Sequence, residues 1–338
     1  MELLFKLMEA SGVSGSEENV REIIKEEIKP FVDEVFVDKM GNLIAHKKGK
    51  RPKVMLAAHM DEIGLMVKGI TSEGKLMVSE LGGIEVISIT GQRVRIKAKS
   101  GIIHGIISFK ELSNDHKING IPEMYELFVD TGLSKKELEE LGVGPGDTLE
   151  LTQQNGYLGN ENVIFGKALD DRIGCFILIE LAKKLKSHQN EIFYAFTVQE
   201  ELGLYGAKTS AYEIEPDWAI VVDVTNANDS AETPTKRIGC GPCITAKDSD
   251  LIGNKCINGW IKEIAKKHKI PLQVEVASFG TTDALAISLS KEGVPASVIT
   301  VPIRNLHTTV GIAHKRDIMQ SIELLHELLH DPPKICLV

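Results

Sequence analysis

The stretch that most constrains the fold of this 338-residue chain is EIFYAFTVQEELGLYGA, from Glu191 to Ala207. Ile192 to Val198 is a short, apolar, β-favouring run, and such a run predicts a buried strand. Two adjacent acids, Glu200 and Glu201, follow shortly after it. Strands of open α/β sheets end at a crevice, so the pattern predicts two carboxylates there. Because neighbouring side chains point in different directions, we expect the two glutamates to do different work.

The composition is that of a globular protein, with 43% hydrophobic and 26% charged residues. The formal net charge is −9, and the absence of a basic block argues against nucleic acid as a partner. No apolar run approaches the length of a bilayer span, and the first residues lack the apolar core of a signal peptide. We therefore expect a cytoplasmic protein that binds neither nucleic acid nor membrane.

Five cysteines, an odd number, do not form a disulfide framework. Cys240 and Cys243 have the spacing of a redox motif, but no helical periodicity follows them. We interpret them as thiols that are either paired or free, and not as a redox centre.

The residue pattern along the chain changes twice, at the two ends of a glycine-rich segment. Val54 to Ala58 is a continuous apolar run, as expected of a strand covered on both faces. Residues 68–159 are instead rich in glycine and in short alternating segments, and we expect no site residue there. The sequence therefore predicts an α/β domain with a mixed sheet flanked by helices over 1–67 and 160–338. A small β-rich domain, 68–159, is inserted into it.

Three local patterns make specific predictions. Ser14 and Glu17 have the spacing of a capping box for the helix that follows. Asp171 is expected to be an acid at a helix N-terminus or a salt-bridge partner of Arg172. A further buried strand is predicted to end just before Asp223.

Five apolar strands or strand-like runs end, or turn, at carboxylate or imidazole side chains. These are His59 with Asp61, Asp170, Glu200 with Glu201, Asp223, and His307. Because strand ends collect ligands in open α/β sheets, we expect these residues in one crevice. The donors exceed the needs of one tetrahedral zinc and suit two cations that share a carboxylate. Without thiolates, they favour hydrolytic zinc, cobalt or manganese over a structural site.

Two such cations lower the pKa of a water molecule and polarise a scissile carbonyl. A carboxylate that binds no metal must then take the proton of the water and pass it to the leaving amine. Either Glu200 or Glu201 fits this task. Asp61 lies close enough in sequence to His59 to accept the second imidazole N–H and fix the tautomer.

The motifs that carry these residues resemble, in order and spacing, those of the M42 family of dinuclear metallo-aminopeptidases. This family is the group of tetrahedral and glutamyl aminopeptidases. The matching segments are HMDEIG from His59, GKALDDR from Gly166, VQEELG from Val198, DVT from Asp223 and RNLHT from Arg304. The resemblance implies a zinc-exopeptidase-like fold and hydrolysis of the N-terminal peptide bond of peptides.

The resemblance also implies a role for each residue. His59 and Asp223 would hold one metal, and Glu201 and His307 would hold the other. Asp170 would bridge the two metals. Glu200 would be the general base that activates a metal-bridging water. Glu200 and Asp61 are thus the two predicted catalytic residues. Two divalent ions per subunit are implied, zinc or cobalt first and manganese as an alternative. The inserted domain would form dimers that build a hollow dodecamer, which implies peptide-sized substrates.

Some positions depart from the family pattern. Asn305 stands where tyrosine is common, and Gly311 where an acid is common. Residues 228–232 and 280–284 differ as well. None of these changes removes an expected ligand, but they leave the preferred N-terminal residue open. Arg304 is expected to meet either a substrate carboxylate or a local acid, and Asp283 to be structural.

Two other functions are alternatives to that of an aminopeptidase. An endoglucanase-like glycosidase needs an acid and a base on opposite sides of the scissile bond and no metal, which adjacent glutamates fit poorly. A self-assembling binding protein with a decayed site would have lost ligands, whereas this chain keeps them.

Overall fold

The computed structural model describes residues 1–109 and 120–330, which form a large mixed sheet with helices on both faces and a small closed barrel. The strands are β1 (Glu34–Val37), β2 (Leu43–Lys47), β3 (Lys50–His59), β4 (Gly64–Ile70), β5 (Leu76–Leu81), β6 (Arg93–Ala98), β7 (Gly101–Phe109), β8 (Leu127–Asp130), β9 (Thr148–Leu151), β10 (Gly156–Tyr157), β11 (Val163–Gly166), β12 (Asn190–Thr197), β13 (Trp218–Asn226), β14 (Cys243–Lys247), β15 (Gln273–Val276), β16 (Ala296–Arg304) and β17 (Gly311–His314). The helices are α1 (Glu2–Glu9), α2 (Glu18–Ile28), α3 (Val86–Ile89), α4 (Lys135–Glu140), α5 (Leu169–Lys184), α6 (Glu200–Gly203), α7 (Tyr205–Ile214), α8 (Lys255–Lys267), α9 (Asp283–Ser288) and α10 (Lys315–His330).

The large sheet has eleven strands in the order β1-β2-β12-β3-β13-β16-β17-β11-β10, and β14 pairs with β16 and carries β15. Its centre, β12-β3-β13-β16, is parallel, whereas the outer pairs on both sides are antiparallel. Parallel strands need both faces covered, which explains why their sequences are continuously apolar. The α/β class with a mixed sheet is therefore confirmed.

The central strand β3 shows how the two faces are covered. Val54, Leu56 and Ala58 belong to the core on the side of α1, α2, α5, α8 and α10, whereas Met55 and Ala57 belong to the core on the side of α7 and α9. Successive side chains of a strand point to opposite faces, so one apolar run supplies both cores. The sheet is thus fixed between two helical layers.

The barrel closes through the strand order β4-β5-β8-β7-β6-β9. Its interior is filled by apolar side chains such as Leu65, Val94 and Leu149. The sequence prediction placed the insert at 68–159, whereas the barrel strands run from Gly64 to Leu151. Strand β10 already pairs with β11 of the large sheet.

The predicted capping box of Ser14 and Glu17 is wrong. Helix α2 begins at Glu18 without a side-chain cap. Ser14 is buried and donates its hydroxyl to Asp61 Oδ2 at 2.7 Å, and Glu17 accepts from the backbone of Gly15 and Gln199. Both side chains are turned inward because they satisfy buried groups of other loops.

The two nearby cysteines are free thiols, Cys240 exposed and Cys243 buried. Burial raises the pKa of Cys243 to about 12, so its thiol stays protonated near neutral pH. Cys243 is the first residue of strand β14, so no helix begins at this pair.

None of the helices in the described ranges has the length and apolar character of a membrane span.

Candidate metal centre and active site

The centre is built where two parallel strands end side by side. His59 is the last residue of β3 and pairs with Thr197, the last residue of β12. After β12 the chain turns through Gln199, whose φ of 54° is left-handed, and enters α6 at Glu200. The sharp turn delivers Glu200 and Glu201 next to His59, as the strand-end pattern predicts.

Asp223 reaches the same place by a different route. The predicted strand end before it is wrong, because β13 continues to Asn226. The register that pairs Val221 with Ala57 puts Asp223 level with His59, where β3 stops. Asp223 therefore lies where its shorter neighbour ends, and it lines the cavity there.

Carboxylate and imidazole side chains form two clusters that share Asp170. In the first, ligand atoms of His59, Asp170 and Asp223 lie within 4.8 Å of one another, and so do those of Asp170, Glu201 and His307 in the second. His59 Nε2 is 2.9 Å from Asp170 Oδ1 and 4.0 Å from Asp223 Oδ1. His307 Nε2 is 3.4 Å from Asp170 Oδ2 and 3.7 Å from Glu201 Oε2. The five residues predicted as ligands thus come together, with Asp170 in the middle.

Asp61 holds this arrangement from behind. Its Oδ1 accepts the backbone N–H of Glu200 at 3.0 Å, and its Oδ2 accepts that of Glu201 at 3.2 Å. The predicted contact with the His59 ring is made mainly by the main-chain oxygen of Asp61, 3.1 Å from Nδ1, while the carboxylate is 3.5 Å away. A carbonyl only accepts, so Nδ1 carries the proton and Nε2 faces the clusters.

Glu200 is buried and belongs to neither cluster. Its Oε2 lies 4.0 Å from His59 Nε2, and the residue lines the cavity that contains the clusters. Burial, together with the charges of Asp283, Asp223 and Glu201, raises its pKa well above the ordinary value. A carboxyl with a raised pKa close to a ligand set is suited to accept and return a proton.

Burial also opposes charge on the other carboxylates. It raises the pKa of Glu201 to about 8 and that of Asp223 to about 8, and the charge of Asp170 adds to both effects. The pKa of Asp170 is lowered despite its burial, because His307 and His59 donate hydrogen bonds to it. The pKa of His307 is raised to about 9, since Asp170 and Glu201 outweigh its burial. The centre is thus crowded with acids that a positive charge would stabilise.

These residues fit divalent cations. The donors are imidazole nitrogens and carboxylate oxygens, the set that zinc, cobalt and manganese accept in hydrolytic sites. Glu201 Oε1 is buried and has no hydrogen-bond partner among the described residues. A buried carboxylate oxygen without a donor is costly unless a cation or another group contacts it.

The cavity in front of the clusters has a volume of about 590 Å³. It is lined by the candidate ligands and Glu200 and by polar residues that include Thr225, Lys236 and Glu275. Cavities of this size accept small molecules or a few residues of a peptide.

Two neighbouring acids, Asp171 and Asp283, have structural roles. Asp171 accepts a hydrogen bond from the backbone N–H of Gly174 at 2.8 Å and caps the regular part of α5. Arg172 donates to the main-chain oxygen of Met60 instead. Of the two predicted roles of Asp171, the salt bridge with Arg172 is therefore wrong. Asp283 is buried and accepts a hydrogen bond from Thr197, in agreement with a structural role.

Arg304 pairs with a local acid. Its Nε and Nη2 donate to the carboxylate of Asp229, with Nη2 2.7 Å from Oδ2. Of the two alternatives, the structure therefore shows the local ion pair.

Two of the residues that depart from the family pattern, Asn305 and Gly311, lie beside the second cluster. Asn305 has a left-handed φ of 58°, which asparagine adopts more readily than tyrosine. A Cβ on Gly311 would lie 2.9 Å from Leu169 Cδ1, so an acid here would need a shift of that side chain. Both residues line a small cavity that also contacts Glu201 and His307.

Sequence reasoning missed two contributors to the site. Ser14 binds Asp61, and its local spacing pointed to a cap instead. The β-rich insert was expected to contribute nothing, yet Gly83, in the loop after β5, lines the cavity. The only signal in the sequence is the dipeptide Gly82-Gly83, which permits a close backbone approach.

Fold and site together define a peptidase, and the chain belongs to the M42 glutamyl aminopeptidase family, whose model matches residues 41–324. The protein is a hydrolase of the aminopeptidase class. A putative aminopeptidase of Acetivibrio thermocellus is 41% identical, over 97% of this chain and 98% of the relative.

Solved structures of this family share the whole fold. The TET aminopeptidase of Thaumarchaeota archaeon SCGC AB-539-E09 has a TM-score of 0.94 and 38% identity, and the match covers 99% of this chain and 97% of that one. The TET1 peptidase of Pyrococcus horikoshii, described as able to assemble into a tetrahedron or a large octahedral shell, has a TM-score of 0.89 and 34% identity, covering 98% and 99%.

Proposed function

We propose that this chain removes N-terminal residues from peptides with a pair of divalent cations, zinc or cobalt first and manganese as an alternative. The observation that carries the proposal is the pair of three-residue clusters that share Asp170. His59 and Asp223 would complete one site, and Glu201 and His307 the other. Two cations in such sites polarise a peptide carbonyl and lower the pKa of a water molecule.

The residues of the chain divide the remaining work. Glu200, which is outside both clusters, takes the proton of the attacking water and delivers it to the leaving amine. Asp61 fixes the direction of Glu200 by accepting its backbone N–H. It also fixes the His59 tautomer through its main-chain oxygen.

We further propose that copies of the chain assemble into a closed shell. The support is the similarity to a structure described as a tetrahedron or octahedral shell. A closed shell admits peptides and excludes folded proteins, which agrees with an exopeptidase that acts inside a cavity.

The test is hydrolysis of aminoacyl p-nitroanilides by protein loaded with zinc or cobalt. Glu200→Gln keeps the shape of the side chain but cannot take a proton, so we expect kcat to fall by about 10²–10⁴-fold. The variant should still bind two ions per chain, measured by elemental analysis. Glu213→Gln, at an exposed position of α7, is the matched control and should keep its activity.

Three outcomes would count against the proposal. Near-wild-type turnover by Glu200→Gln would exclude it as the base. Cellulose hydrolysis that survives chelation would favour the glycosidase, and binding of fewer than two ions without hydrolysis would favour the decayed binding protein.

A further inference from the structure

The barrel touches the second cluster through the loop that follows β5. A Cβ on Gly82 would lie 3.0 Å from Glu201 Oε2 and 2.8 Å from Ile63. A Cβ on Gly83 would lie 3.0 Å from His307 Nδ1. The backbone N–H of Glu85 also donates to the main-chain oxygen of His307 at 3.4 Å. The loop therefore packs directly against two of the three residues of this cluster.

The two clusters differ in what supports them. His59 and Asp223 lie in β3 and β13 and are held by the ladder of the central sheet. Glu201 lies in the four-residue helix α6, and His307 lies in the loop after β16 with a left-handed φ of 57°. A short helix and a loop are weakly fixed by their own hydrogen bonds, so the second cluster needs an external support.

A buried ion network joins the barrel to the large sheet. Lys167, which follows β11, donates to both carboxylate oxygens of Glu62 at 2.8 Å and to Glu150 Oε1 at 2.7 Å. Glu150 is a barrel residue in β9 and is also bound by Arg95 of β6, with Nε 3.0 Å from Oε2. Arg172 Nη2 lies 3.3 Å from Glu62. The two domains are thus connected by charge-assisted bonds.

The central members of this network are removed from water. The side chains of Lys167, Glu62 and Glu150 are 4%, 3% and 5% exposed. Removing one partner from a buried network leaves another charge without compensation, which disfavours separation of the two parts. Such a link fixes the barrel in one position relative to the sheet.

We propose that the barrel is the positioning element of the second cation cluster. The link through Lys167 and Glu150 sets the barrel against the sheet, and the Gly82–Gly83 loop then fixes Glu201 and His307. The inference rests on the proposed function, because it assigns a cation to this cluster. Glycine is needed at 82 and 83 because any side chain would push the ligands away.

The first experiment uses Gly83→Ala, which adds one methyl group 3.0 Å from His307 Nδ1. Chelated protein is titrated with Zn²⁺ by calorimetry, and His307→Ala identifies the binding step of the second cluster. We expect Gly83→Ala to weaken that step at least tenfold and to leave the other within twofold. Gly144→Ala, also in the insert and with open space around its Cβ, should change neither step.

The second experiment tests the link from a distance. Glu150→Gln keeps the size of the side chain and leaves Lys167 paired with Glu62. We expect it to weaken the same binding step at least threefold, because the loop loses its fixed position. Circular dichroism of each chelated variant establishes that the fold is retained.

Each outcome decides the inference. Equal weakening of both steps, or of neither, by Gly83→Ala would overturn it. An effect of Gly83→Ala without any effect of Glu150→Gln would refute the link as the anchor. If the unaltered protein binds fewer than two ions, the proposed function fails. Two-ion binding and hydrolysis with an unchanged Gly83→Ala variant would refute the positioning role alone.

Discussion

At the scale of single residues, the hydrogen bonds of Asp61 explain why the adjacent side chains of Glu200 and Glu201 occupy different positions. Its carboxylate accepts the backbone N–H of both Glu200 and Glu201 and the hydroxyl of Ser14. With the main chain held at this point, Glu201 turns into the second cluster and Glu200 stays outside both clusters. A buried carboxylate with three donors is itself well satisfied, so it costs little to keep charged.

Glu17 gives a prediction about pH. Burial raises its pKa from 4.5 to about 7, and the nearby charge of Asp61 adds to the effect. The folded chain therefore holds this proton more tightly than the unfolded chain. The free energy of unfolding should fall as the pH rises from about 4.5 to about 7, and it should stay lower above that.

Glu17→Gln removes this cost and keeps the oxygen that accepts from Gly15 and Gln199. We expect the variant to be more stable than the unaltered protein by about 1–3 kcal/mol at pH 8 and about equal to it at pH 4.5. Urea unfolding across this range measures the difference. A gain in stability that is the same at both pH values would contradict the prediction.

The sequence predicted which candidate ligands lie together, because their residue types follow buried runs and strand ends meet in one crevice. It could not identify Ser14 as the partner of Asp61, or Gly82 and Gly83 as neighbours of Glu201 and His307. These contacts join residues that are far apart in the chain, and they depend on how the barrel and the N-terminal loop pack. Local spacing at Ser14 even favoured a competing interpretation.

At the scale of elements, strand length decides where the crevice lies. β13 continues past the end of β3, and Asp223 lies level with His59, the last residue of β3. The sequence pattern predicts that this strand ends before Asp223, because aspartate is rare in strands. An acid is tolerated there because the neighbouring strand has stopped and leaves room for the clusters.

Arg172 joins α5 to the elements around it. Its guanidinium is fully buried and donates to the main-chain oxygens of Met60 at 2.8 Å and Ala10 at 3.0 Å, and to that of Leu7. We expect Arg172→Met to destabilise the fold by about 3–5 kcal/mol, because it leaves these buried carbonyls without their donor and removes one of the two cations that contact Glu62. The urea-unfolding midpoint measures this loss.

Arg237→Met is the control, since Arg237 is exposed, and it should change stability by about 0.5 kcal/mol or less. If Arg172→Met were as mild as this control, Arg172 would not be the connection between α1 and α5 that its hydrogen bonds indicate.

At the scale of the whole molecule, the α/β class followed directly from the sequence, because continuous apolar runs require helices on both faces of the sheet. The closure of the insert into a six-stranded barrel did not follow, since alternating segments are equally typical of open sheets. The position of the barrel depends on buried charges in distant parts of the chain, and no local pattern reveals such pairs.

The proposed assembly gives the prediction at this scale. Sedimentation of the purified protein should show a discrete species much heavier than a dimer of the 37.1 kDa chain. Electron microscopy of that species should show a hollow particle. A chain that sediments only as a monomer, at concentrations where it hydrolyses peptides, would show that catalysis does not require the shell.

The sharing of Asp170 has a consequence for how this enzyme changes over time. In the proposed two-ion centre one carboxylate would serve both ions, so neither site could be retuned for a different metal without disturbing the other. Mutations that survive should therefore leave Asp170 unchanged and alter its surroundings. Asn305 and Gly311, which depart from the family pattern, lie in such surroundings.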